Sequence, residues 1–473
     1  MRKGLTIAVL FLTAFFVLAK GTRASGDKVA LEVSATRRGL SIYINGVDSG
    51  AKTPASVELA AGDVVAVYGS VTDFWGAWLI SGDERFVKFR RERIAGGYEL
   101  FVDVGGGWTF VGYDLDETVT QKRFDELVQQ AESLKAVEAA KCTMISDISS
   151  LAAHRELWLL GLFSTRVVDF SPLARLKNLR WLDLRDTAIS DLSVLSGLRE
   201  LKLLNLSGTK ATDISPIAGL DKLWYLDLFR TRVSDISPVS RMHELRELWL
   251  AGTRVSDITP ISQLVRLKYL YLFKTKVKDL SPLEKCRELE ILDIFQTRVN
   301  DLSPLAACRS LKKLFASATK VSDISPLAEL RELEWLDLRS TSVSDLSALS
   351  GLRKLKWLLL NNTRISDIGP LAGLYSLEVL SLARTKVRDI SAVSKLVNLR
   401  RLNLNMTHVD DISPVANLYR LRRLYIRNTK VFDLAPLEAL VSLEVLDLCG
   451  TPAAGEAARI ERELELKKCA CCK

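Results

Sequence analysis

Histidine is nearly absent from this 473-residue sequence. His154, His243 and His408 stand far apart, and none has a nucleophile or carboxylate beside it in a catalytic arrangement. No phosphate-cradling glycine loop occurs, because Gly105-Gly-Gly107 precedes a strand-like stretch rather than a helix, and no zinc-ligand spacing is found. These absences argue against an enzyme and imply neither cofactor nor metal. Long apolar runs are missing too. The one candidate, Leu5 to Ala19, falls short of the about 20 residues that a membrane-spanning helix needs.

That run follows Arg2 and Lys3 and precedes Lys20-Gly-Thr-Arg-Ala24, whose small residues suit a signal peptidase. Residues 1–24 are therefore expected to be a cleaved signal peptide, leaving no integral membrane segment. Export to the surface, periplasm or medium of a bacterium follows. A formal net charge of +9 favours anionic ligands, and export makes nucleic acid an unsuitable one. The sequence leaves the oligomeric state open.

The seven cysteines are odd in number and do not read as a disulfide framework. Cys286 and Cys308 fall where neighbouring segments place a leucine, so they are expected in the core. Cys469, Cys471 and Cys472 close the chain. That grouping suits a metal, a disulfide in an oxidising compartment, or a reactive tail without function.

Pattern divides the remainder. Residues 28–115 read as short strands broken by Gly, Asn and Asp, a small all-β domain. Residues 117–141 change period, with Phe124, Leu127, Val128, Ala131, Leu134 and Val137 on one helical face, a helical N-terminal cap. From 142 to 452 a threonine returns every 22 residues, from Thr143 to Thr451, without an insertion. Residues 453–473 supply a capping helix and the cysteine tail.

Counted back from Thr231, Leu223, Leu226 and Leu228 give L-x-x-L-x-L-x-x-T, and Val233, Ile236, Val239 and Met242 continue the apolar set. This is the leucine-rich-repeat pattern with threonine in the usual asparagine place. The short repeats, with phrases similar to Asp-Ile-x-Pro-Leu such as Asp323-Ile-Ser-Pro-Leu327, resemble bacterial internalin-like proteins. That resemblance implies adhesion or surface recognition. More weakly, Ser41-Ile-Tyr-Ile-Asn-Gly-Val-Asp-Ser-Gly50 with Thr53-Pro54 resembles the PEGA-type β domain of bacterial envelope proteins, from which Ala60-Ala61-Gly62 departs.

The expected fold is an α/β solenoid: a leucine-rich-repeat horseshoe with a parallel concave sheet, short helical or 3₁₀ convex turns, and the small all-β domain before it. The threonine hydroxyl is expected to satisfy backbone groups where each strand ends, and the serine before proline to cap each turn. An aspartate stands four residues after the threonine in fourteen consecutive repeats, Asp147 to Asp433. Its spacing fits a ladder of turn and cap bonds better than a calcium loop. Arg or Lys follows the threonine in ten repeats from Thr165 onward, a solvated charge ladder that the aspartates are expected to balance.

Outward strand positions are where the repeats differ. From Thr231 to Thr363, ten of twenty-one are aromatic, against three of twenty-one in the other seven repeats from Thr165. Tyr225, Phe229, Trp249, Tyr269, Tyr271, Phe273, Phe295, Phe315, Trp335 and Trp357, with Asp227, Asp337 and Arg339 for orientation, form the expected concave ligand site. The function that follows is recognition of a protein or glycan. A scaffolding role in the bacterial envelope is the alternative.

Overall fold

The computed structural model describes residues 117–464 throughout, together with Ile94, Ala95, Tyr113, Leu115 and Leu466; outside these only segments of strand backbone are defined. The expected signal peptide, the all-β domain with its PEGA-like stretch, and Cys469, Cys471 and Cys472 lie outside the described residues. The chain divides into two compact units, Met1–Val233 with Arg241–Leu248, and Ser234–Ser240 with Trp249–Lys473.

In the first unit a helix spans Gln121–Gln130, and the Thr120 side chain accepts from the Arg123 amide at 3.2 Å. Its buried face is Phe124, Leu127 and Val128. The helical period expected as far as residue 141 stops there, because Ala136–Glu138 is a strand, parallel to Leu159–Gly161. Val137 pairs with Leu160, so Leu134-x-x-Val137-x-Ala139 is already the inward pattern of a first repeat. Strands Trp181–Asp183, Leu203–Asn205 and Tyr225–Asp227 continue it with Leu182, Leu204 and Leu226 in one line. In the second unit, parallel strands run from Tyr269–Tyr271 to Val445–Asp447, and a short helix, Ala457–Glu463, follows.

The repeat ending at Thr341 shows how the spacing works. Leu336, Leu338, Val343, Leu349 and Leu352 are wholly buried, and burial of each such side chain contributes roughly 1.5–3 kcal/mol. Strand Trp335–Asp337 leads, through Ser340 in the left-handed region, to Thr341, and a 3₁₀ turn spans Ser347–Leu349. The residue before the threonine is left-handed in every repeat from Thr165 to Thr451, and in eleven of them it is not glycine. Each threonine hydroxyl donates to the carbonyl three residues back in its own turn, as Thr341 Oγ1 does to Leu338 O at 2.7 Å and Thr231 Oγ1 to Leu228 O at 2.7 Å. The hydroxyl thus closes its own repeat.

The aspartate row does the capping that the serine was expected to do. Asp345 Oδ1 accepts both the Ser347 amide, at 2.8 Å, and the Ser347 hydroxyl, at 2.6 Å. The same pair recurs at Asp169 with Ser171 and at Asp411 with Ser413. The serine donates because the carboxylate two residues earlier is the better acceptor. These bonds hold Asp345 below the usual carboxylate range. Committed to capping, the aspartates do not balance the cations: Arg232, Arg298, Lys320 and Lys386 are exposed and make no ion pair among the described residues. Cys286 and Cys308 are buried and free, and burial pushes their thiols up to about 12 and about 11.

Candidate functional site

The first unit brings Tyr225, Asp227 and Phe229 onto a sheet face that is polar and tightly filled. Asp227 is 7% exposed, accepts the Phe229 amide at 2.8 Å through Oδ1, and receives the Tyr225 hydroxyl at 3.4 Å through Oδ2. One strand away, Asn205 accepts the Ser207 amide. One strand further, Asp183 holds Arg185 in a two-pronged pair, Nε to Oδ1 at 3.0 Å and Nη2 to Oδ2 at 2.5 Å. The guanidinium lies 4.5 Å from the centroid of Phe163. Burial pushes Asp227 up to about 7, against the opposing pull of the Phe229 amide, Arg185 and Asn205. Glu138 is buried on the same face, and a Cβ at Gly161 would collide with its carboxylate. Gly161 is thus the space into which Glu138 folds.

The second unit carries the remaining expected residues. Trp249 and Tyr271 are stacked, with centroids 3.7 Å apart and planes at 17°. Trp335 and Trp357 stack at 4.3 Å and 6°, and Phe315 leans on Trp335 at 5.8 Å. Asp337 is buried and grips Arg339 as Asp183 grips Arg185, at 2.9 and 2.6 Å. At Asp293 the residue two places on is phenylalanine instead of arginine, and burial pushes that carboxyl up to about 6.

The cluster expected to be exposed is not. Trp249, Tyr269 and Tyr271 are 8, 4 and 3% exposed, and Phe273, Phe295, Phe315, Trp335 and Trp357 are half-buried. Parallel strands stand about 4.8 Å apart, so rings in one register position lie face to face and cover one another. Stacking also outweighs hydrogen bonding here: the buried Trp335 Nε1 has no acceptor among the described residues. Among the half-buried rings, Phe315, Trp335 and Trp357 form a contiguous tier beside the exposed Arg339. Asp293 was legible from the sequence as an orienting carboxylate of the outward patch, whereas Glu138, Asp183, Arg185 and Asn205 were not singled out, although each is a polar residue in an outward position.

Among the described residues no cluster could hold a metal ion, and no helix is long and apolar enough to cross a membrane. Leucine-rich repeats in two-copy form match residues 177–219, 265–307, 353–395 and 375–417. No curated protein matches the chain. Among solved structures it is similar to a leucine-rich-repeat protein of Leptospira interrogans, with 21% identity, 75% of this chain and 93% of that one covered, and a TM-score of 0.67. The functional domain of InlJ from Listeria monocytogenes is similar at 18% identity, covering 68% and 74%, with a TM-score of 0.54. An internalin (inlF) from Listeria monocytogenes is similar at 32% identity with a TM-score of 0.59, covering 63% of this chain. Since that likeness extends over 88% of the internalin, the chain belongs to the internalin-like leucine-rich-repeat proteins.

Proposed function

We propose that the protein is an exported bacterial recognition protein that binds a protein ligand on the sheet face of its second unit. The observation that carries this is the half-buried tier of Phe315, Trp335 and Trp357 beside Arg339. Aromatic and arginine side chains dominate the energetic centres of protein interfaces, and rings fixed by stacking lose little entropy when a partner covers them. A glycan is the poorer fit, because sugars need free ring faces and these rings turn faces toward each other. The fold binds a partner elsewhere: a plant peptide hormone receptor, RGFR1, 18% identical with a TM-score of 0.55, is known in complex with RGF2. Export rests on the basic, apolar and small-residue order of residues 1–24.

The test is a panel of extracellular protein domains probed with the full chain and with the Trp335→Ala/Trp357→Ala variant. A domain that binds is expected to lose affinity by roughly tenfold or more in the variant, as loss of aromatic anchors does. Undiminished binding in the variant, at an unchanged denaturation midpoint, would refute the assignment of this face.

A further inference from the structure

One register position, ten residues before the threonine, changes character along the chain. It holds Arg287, Arg309, Arg331 and Arg353 in four successive repeats, then Tyr375, Val397, Tyr419 and Val441 in the next four. These are the turns that lead into the strands, away from the outward strand positions considered above. The four apolar residues are 55, 50, 57 and 82% exposed, so the folded chain gains nothing from them. An apolar residue scattered singly on a surface needs no explanation, but four in consecutive repeats form a row.

The row is held in place. Asn398 Nδ2 donates to the Tyr375 carbonyl at 2.8 Å, and Arg420 donates to Asn398 Oδ1 at 2.7 Å, tying three successive turns together. The Tyr419 hydroxyl donates to Asn417 Oδ1 at 3.1 Å, which orients the ring. Beside the row lies a cavity of about 260 Å³ lined by Lys356, Ser376, Glu378, Asn398, Arg400 and Arg420. Three of its walls are cationic and one is anionic. Arg400 pairs with Glu378 at 3.5 Å, and Arg420, exposed, has no carboxylate partner among the described residues.

We propose that this edge of the second unit is a docking surface, separate from the sheet face, for an acidic protein segment. Its carboxylates enter the cavity between Arg400 and Arg420, and its apolar side chains cover Tyr375, Val397 and Tyr419. Charge complementarity selects an acidic partner, because the arginines exceed their carboxylates. The valines select a protein over an anionic polysaccharide: an aliphatic side chain contributes only by burial against apolar atoms, which a sulfated sugar does not offer. Tyrosine and arginine are also the side chains that most often anchor protein interfaces.

A random-peptide display library panned on the full chain tests this, with heparin binding and sedimentation measured in parallel. Selected peptides are expected to combine Asp or Glu with apolar residues. Their affinity should fall roughly tenfold or more in Tyr375→Ser/Tyr419→Ser and in Arg400→Glu/Arg420→Glu, and stay unchanged in Trp335→Ala/Trp357→Ala. All four edge residues are exposed, so the variants should retain the wild-type denaturation midpoint. Peptides without acidic residues, or equal affinity in the edge variants, would overturn the proposal. Heparin binding that depends on the arginines and not on the tyrosines, with no acidic peptide selected, would reassign the surface to a polyanion. Self-association abolished by the tyrosine variant would reassign it to a second copy of the chain.

Discussion

Asp227→Asn should flatten the pH dependence of stability. In the folded chain the Asp227 carboxyl is 7% exposed among Asp183, Arg185, Asn205, Tyr225 and the Phe229 amide, and burial lifts it from 3.8 to about 7. Between those two values the unfolded chain has released the proton while the folded chain still holds it. Protonation therefore stabilises the fold in acid, and the contribution is lost as pH rises toward 7. The limiting slope for one proton is about 1.4 kcal/mol per pH unit, so the carboxyl removes roughly 3–4 kcal/mol between pH 4 and pH 7. Asparagine has nothing to titrate, and its side-chain oxygen can still accept the Phe229 amide. Urea midpoints for both proteins at half-unit steps from pH 4 to 8 should give a difference that grows with pH in favour of the variant and levels off above about 7. Parallel curves would show that Arg185 and Asn205 compensate the burial fully, and the argument would fail.

Two further substitutions address the repeat turn itself. Thr231→Val keeps the shape and removes the hydroxyl bond to Leu228 O while the amide bond at 3.1 Å stays, so a loss of about 1 kcal/mol is expected by denaturant titration. At Lys274, left-handed at φ 58, glycine should stabilise by about 0.5 kcal/mol, the relief of strain less the added freedom of the unfolded chain, and valine should destabilise by more than about 1 kcal/mol. Equal effects from the glycine and the valine would sink the strain argument.

The repeat was legible because leucine, threonine and aspartate return at a fixed interval, and each position has one physical task. The left-handed residue was not legible: Arg230, Lys274 and Met406 carry no local mark of that conformation, which the surrounding turn imposes on them. The aspartate was seen, but serine also accepts hydrogen bonds, so the direction of the Asp345 and Ser347 bonds needed geometry. Outward aromatics could be read from strand alternation, whereas their burial depends on how rings in adjacent strands lie, and alternation does not encode that. The edge row was missed for a different reason. Tyr375 and Val397 sit in a turn where exposed residues attract no notice singly, and only a column-by-column comparison of repeats separates them from Arg287 and Arg309.

The threonine and aspartate bonds are both local. Each turn is closed by a hydroxyl acting on a carbonyl three residues back and opened by a carboxylate acting two residues forward. A recombination that deletes or duplicates 22 residues therefore leaves every such closure intact. The number of rungs, and with it the length of surface that can be displayed, is free to drift in evolution while the grammar of a single rung stays fixed.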